Sequence, residues 1–240
     1  MKKLTAAAFF DLQDFAHGEL FTTDDWVWEA LNRLPAYLQD WFNNHKPEIL
    51  GEISPTARLH GSNISIGAGT VVEDGVTIVG PAIIGEHCEI RQGAYIRGNT
   101  IMGNGAILGH ASETKNAILL KDAKAPHFAY VGDSILGREV NLGAGTKLSN
   151  LAVSSEKDAA TGKRPGISLL INGISVNTGL AKLGAIIGDF SQTGCNCVTN
   201  PGTLIGRNTL IYANMSVAKG YIPDNSVVKL RQEIEIVARR

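Results

Sequence analysis

From Ile66 to Leu108 every sixth residue is apolar: Ile66, Val72, Ile78, Ile84, Ile90, Ile96, Met102 and Leu108. Four places after each stands a small or β-branched residue: Thr70, Val76, Ala82, Cys88, Ala94, Thr100, Ala106 and Ser112. A helix repeats at about 3.6 residues and a strand at 2, so neither sustains a period of six. A chain wound through three short strands per turn does. Each strand with its corner uses six residues, the aliphatic one points inward and the small one fits the corner. Gly67, Gly69, Gly75, Gly85, Gly93 and Gly103 suit such corners, which often need positive φ. The pattern predicts a hexapeptide-repeat parallel β-helix.

Composition narrows what such a coil does. Among 240 residues, aromatics make up only 6% and glycines number 27, which fits stacked short strands better than a helix bundle. A net charge of −1 does not indicate a basic nucleic-acid face. Cys88, Cys195 and Cys197 suggest no disulfide framework, and Cys88 and Cys197 fall at small-residue corners. With Cys88 read as a core filler, no other cysteine remains to complete a metal site at Cys195-Asn196-Cys197. His60, His87, His110 and His127 include no closely spaced pair, so no metal is expected. No apolar run reaches membrane length and the start lacks a signal-peptide core, which makes a reducing cytoplasm the expected location.

Residues 1–50 do not follow the period. Phe9, Phe10, Leu12 and Phe15 form an apolar patch. Thr22 or Thr23 can cap a helix from Asp24 to Leu31, and Pro35 can open a second, Ala36 to Asn43. This segment, which holds all three tryptophans, is expected to form a small α-helical cap over the open end of the coil; an aromatic ligand box is the sharper alternative. The coil, residues 51–228, has one residue inserted between Leu59 and Ile66. Its phase breaks at Thr114–Ala117 and resumes as Ile118, Lys124, Tyr130, Leu136, Leu142 and Leu148. The polar entries there mark a candidate functional loop. An insertion at 152–176 comprises a solvated excursion and a β-hairpin with a type I′ turn at Asn172-Gly173. It is either a bare surface hairpin or part of a binding-site wall. The repeat returns at Ile187, Thr193, Thr199, Ile205, Ile211 and Val217, giving seven to eight coils. A charged tail, 229–240, is expected to seal the last one.

One segment carries chemistry. Lys121-Asp122-Ala123-Lys124-Ala125-Pro126-His127-Phe128-Ala129-Tyr130-Val131-Gly132-Asp133 precedes Asn141-Leu142-Gly143-Ala144-Gly145-Thr146. Here the chain resembles the acetyltransferase half of the bifunctional N-acetylglucosamine-1-phosphate uridyltransferase/glucosamine-1-phosphate acetyltransferases. Those read Lys-x-x-Lys-Ala-Gly-His-Leu-x-Tyr-x-Gly-Asp and then Asn-Ile-Gly-Ala-Gly-Thr. The stretch from Asn172-Gly173 to Ile187-Gly188-Asp189 is similar to the C-terminal coil of archaeal-type sugar-1-phosphate nucleotidyltransferase/acetyltransferases. The Gly-x-Gly-Thr-Arg-Met signature of sugar nucleotidyltransferases is absent, so the chain looks like that coil without its nucleotidyl domain.

The resemblance implies a left-handed coil, a homotrimer with sites between subunits, and transfer from acetyl-coenzyme A to the amine of an amino-sugar phosphate. It implies that His127 is the general base, a task suited to imidazole because its ordinary pKa lies near neutrality. Arg91 and Lys115 match cations that hold the sugar phosphate. Tyr130 and Asn141 match groups near the substrate, and Asn150 one beside the reacting amine. Ala144, Cys195 and Ala213 match the acyl-coenzyme A face, where small residues admit the pantetheine arm. Lys115-Asn116 replaces the family's Lys-Lys pair, and Asn150-Leu151-Ala152-Val153 replaces Asn-Tyr-Asp-Gly. Read from the residues alone, Arg91 and Lys115 are solvated charges, the asparagines support turns, and His127 is a loop histidine. Two further functions stay open: a non-catalytic module that binds a sugar nucleotide or a partner enzyme, and O-acyl transfer with the same base.

Overall fold

The computed structural model describes residues 4–231 and 235. Its body is a mainly β, left-handed parallel β-helix. Among the described residues, three parallel sheets form its sides, with eight strands in two of them and nine in the third. The nine-stranded sheet, here the first side, contains Ile107–His110, Lys124–His127 and Asn141–Leu142. The second side contains Glu113–Lys115, Tyr130–Gly132 and Lys147–Leu148, and the third Ala117–Leu119, Ile135–Leu136 and Ala185–Ile187. Strands are two to four residues long, so each contributes one or two inward side chains to the axial core.

That core is the predicted column: Ile66, Val72, Ile78, Ile84, Ile90, Ile96, Met102 and Leu108 are all buried and in one cluster. Beyond it the phase differs from the expectation. The inward residues are Leu119, Ala125 and Val131, while Ile118, Lys124 and Tyr130 point outward. Thr114 to Leu119 and Val131 to Leu136 are steps of five. The repeat is therefore not suspended at Lys124 and Tyr130; it is shortened at two successive corners between the second and third sides. The insertion starting at Ala152 leaves from the same edge, since Leu148 ends on the second side and Ile187 lies on the third.

Most of the first fifty residues do not close an end; only 48–50 pair with the third side's terminal strand, at Ile66. Their apolar residues pack on the outer face of the third side, against Ile83, Ile101, Ile118, Ile135, Ile186 and Leu204. Those six residues recur once per turn and would face water on a bare prism, so covering them is the physical reason for the added layer. Phe9, Trp28, Leu31, Leu34 and Leu38 become fully buried there, each worth about 1.5–3 kcal/mol of apolar transfer. The layer holds one α-helix, Glu29–Asn44, rather than two. Pro35 lies inside it, and Trp28 stands at its N-cap. Burial of the Leu31, Leu34 and Leu38 stripe outweighs the helix-breaking tendency of proline. The aromatics are thus core, not a ligand box. Asp189, buried on the coil, accepts the backbone N–H of Asp11 at 2.6 Å and ties the layer down.

The predicted hairpin forms, Ser168–Ile171 paired antiparallel with Ile174–Asn177, and both turn residues take positive φ as a type I′ turn requires. Its Leu169 and Ile171 join the same side layer. The tail from 232 lies, except for residue 235, outside the described residues. No helix among the described residues is long and apolar enough to cross a membrane.

Candidate active site

His127 ends its strand on the first side, directly before the corner to the second. The next residue, Phe128, takes a positive φ of 51°, and the turn leaves the His127 side chain exposed. Successive turns stack at this corner through backbone bonds. Gly145 donates its N–H to the His127 carbonyl, Asn196 to that of Ala144, and Asn214 to that of Cys195. His127, Ala144, Cys195 and Ala213 therefore form one column along one edge, with Ala144 part-exposed and Cys195 and Ala213 open to solvent. The sequence motif placed these residues far apart in the chain; the coil aligns them. Below the column, His110 pairs in register with His127, and its Nδ1 lies 3.0 Å from the Gln92 carbonyl.

A second group lies across the second side, at its other edge. Tyr130 begins that side's strand three residues after His127, and its ring leans along the strand until the hydroxyl lies over Gly132. A side chain at 132 would collide with that hydroxyl, so glycine there is a condition of the arrangement. Asn150 donates its Nδ2 to the Tyr130 hydroxyl at 3.1 Å and to Asp133 Oδ2 at 2.5 Å. Asn116 donates to Asp133 Oδ1 at 2.9 Å, and the Lys115 ammonium stands 3.7 Å from Oδ2. Asp133 is only 5% exposed and carries the cluster. Burial raises the Tyr130 phenol above its ordinary pKa, with the Glu113 and Asp133 carboxylates adding to the shift. The phenol thus keeps its proton, and with one lone pair occupied by Asn150 it can donate outward.

Of the expected site residues, the chain joins Lys115, Tyr130 and Asn150 at one edge, and His127, Ala144, Cys195 and Ala213 at the other. Arg91 does not meet Lys115. It binds Glu89 at 2.7 Å and lies two turns below Pro126-His127, roughly 10 Å at the spacing of parallel strands. Asn141 is in register with Lys124 and Gln192 on the first side, away from both groups. Asp133 has no role in the reading from sequence, although the Gly-Asp that ends the matched motif contains it. Asn116 and Asp133 take positive φ at successive turns of this corner, as Asn99 does one turn earlier, so the conformation alone does not single Asp133 out. Beside Asn150 a groove of about 540 Å³ runs between the inserted loop and the coil, lined by Ser149, Leu151, Val153, Asn200 and Lys219 among others.

Residues 78–164 match a family model described as the GMPPB C-terminal domain. The bifunctional protein GlmU of Methanococcus vannielii is 35% identical over 88% of this chain and 47% of its own length. A bifunctional sugar-1-phosphate nucleotidylyltransferase/acetyltransferase of Sulfurisphaera tokodaii is 33% identical over 59% of this chain and 37% of its own. The UDP-N-acetylglucosamine acyltransferase of Francisella novicida superposes with a TM-score of 0.47 at 14% identity, covering 75% of this chain and 62% of that one. The chain spans about half the length, or less, of the curated relatives it matches. Over that shared length, this hexapeptide-repeat chain resembles the bifunctional sugar-1-phosphate nucleotidylyltransferase/acetyltransferases in their C-terminal part.

Proposed function

We propose that the chain is an acetyl-coenzyme A-dependent N-acetyltransferase acting on an amino-sugar phosphate of the glucosamine-1-phosphate or galactosamine-1-phosphate class. The observation that carries this reading is the column in which His127 is followed, turn by turn, by Ala144, Cys195 and Ala213. A slim thioester arm can lie along such small residues with its carbonyl brought to the imidazole. The imidazole takes a proton from the acceptor amine as the nitrogen bonds to the thioester carbon. The carbon–sulfur bond then breaks, and the coenzyme leaves as a thiol carrying a proton. Lys115 supplies positive charge for the sugar phosphate, and Tyr130 and Asn150 supply neutral donor and acceptor groups.

His127 stands on a protruding edge, so a second copy must wall the site. The outer faces of the first and second sides bear exposed Val71, Tyr95, Leu210 and Tyr212, and Phe128 stands on the edge between them. The third side is already covered by the N-terminal layer. A homotrimer packed through the two open sides brings the His127 edge of one copy to the Lys115 edge of the next, which also gives Arg91 a route to the same site.

Thiol release from acetyl-coenzyme A is to be measured with a panel of hexosamine phosphates. We expect release with at least one, and a loss of about 100-fold or more in His127→Ala. No release with any acceptor, or full activity in that variant, overturns the proposal. The groove beside the inserted loop favours the second reading, a non-catalytic sugar-nucleotide module; calorimetry showing sugar-nucleotide binding and no coenzyme A binding would select it.

A further inference from the structure

We infer that Asp133 is a positioning residue that fixes the direction in which Asn150 presents its amide, and thereby sets the acceptor group the site takes. The inference rests on the acetyltransferase reading for what occupies the site, but not for the lock itself.

A side-chain amide has two faces, an NH₂ that donates and an oxygen that accepts. Asn150 is held between two groups that decide which face points where. A carboxylate oxygen of Asp133 lies 2.5 Å from one end of the amide, and an ionised carboxylate only accepts. The end facing Asp133 is therefore nitrogen. The same nitrogen meets the Tyr130 hydroxyl oxygen at 3.1 Å, so both of its hydrogens are used. The amide oxygen of this half-buried residue is left without a described side-chain partner, as the face offered to a ligand. A group received there must donate. A neutral amine does so with an N–H, which leaves its lone pair free to attack.

Asp133 is itself held in place. Asn116 donates to its other oxygen at 2.9 Å, its own backbone N–H donates to the Lys115 carbonyl, and Gly184 donates to its carbonyl. A side chain at 184 would run into Ser134 and the Gly132 carbonyl, so the corner packs tightly against the Asp133 backbone. Asn116 is the residue that stands where the resembled family has the second lysine of its pair. With asparagine there, a neutral amide rather than a second lysine holds Asp133.

The test uses the full chain with Asp133→Asn and the swap Asp133→Asn with Asn150→Asp. Side-chain ¹⁵N amide exchange, assigned by the loss of a signal in Asn150→Asp, reads the lock without any activity. In the wild type the Asn150 NH₂ is expected to exchange slowly, and in Asp133→Asn at least 10-fold faster. KM for the amino-sugar phosphate should rise about 10-fold or more in Asp133→Asn, with KM for acetyl-coenzyme A unchanged. The swap restores an amide-to-carboxylate pair and again shows an oxygen to the acceptor, so that KM should return towards the wild-type value. Fast exchange in the wild type, or exchange unaltered in Asp133→Asn, overturns the lock. Altered exchange with an unaltered acceptor KM overturns the role in acceptor choice. A wild type that acetylates nothing refutes the enzyme reading and the acceptor role with it, while slow exchange still upholds the lock.

Discussion

His127 and Gly109 represent opposite kinds of residue in a coil whose turns are one strand apart. His127 is exposed, so replacing it should alter chemistry and leave the melting temperature nearly unchanged. Gly109 sits one turn below Pro126, and a Cβ there would overlap that residue's backbone. Close packing leaves no slack to absorb the clash. Gly109→Ala should therefore cost more than about 2 kcal/mol, read as a clear drop in thermal midpoint, even though it removes no contact. His127 was singled out because a long motif surrounds it. Asp133 was equally present in the motif but not legible, because its partners Asn116 and Asn150 lie 17 residues away on either side and meet it only through the winding.

At the scale of elements, the hairpin and the helix differ in how they were specified. Asn172-Gly173 is a local instruction, and the turn forms as that dipeptide dictates. The helix boundary is not local. Pro35 argues for a break at its position, and burial against the third side overrides it. The outward column Ile83, Ile101, Ile118, Ile135, Ile186 and Leu204 was in the sequence, yet a search for inward positions passes over it. The same side layer makes stability depend on pH. His17 lies 2.8 Å from the Tyr37 hydroxyl, and burial lowers its pKa from 6.5 to about 4, against an opposing pull from Glu19. Burial likewise raises the Tyr37 phenol. Between those two values the unfolded chain binds a proton at His17 that the folded one refuses. Stability should therefore fall by roughly 2 to 3 kcal/mol as pH drops from 6.5 towards 4. The difference between wild type and His17→Gln in urea midpoint across that range isolates the effect; a constant difference would refute it.

The whole molecule is a stack in which distant sequence becomes vertical neighbourhood. Ala144 is separated from Cys195 and Ala213 by the entire insertion, yet the three occupy successive levels of one edge. If that edge carries the thioester arm, bulk on it obstructs the arm without touching the core. Ala144→Trp is expected to raise KM for acetyl-coenzyme A at least 10-fold with the melting temperature unchanged, and unaltered kinetics would remove the arm from this edge.

The sequence by itself determined the coil, because a strict six-residue apolar period has one economical packing and every turn repeats the same local choice. It also marked the histidine and the tight hairpin, each spelled out by adjacent residues. Only the tertiary structure decided which side the N-terminal layer covers, that Arg91 and Lys115 stand on different edges, and that a buried carboxylate orients Asn150. Those outcomes depend on the exact number of residues between corners. One residue fewer at two successive turns rotates the outward set, and only in the wound chain is it settled which side chains then meet.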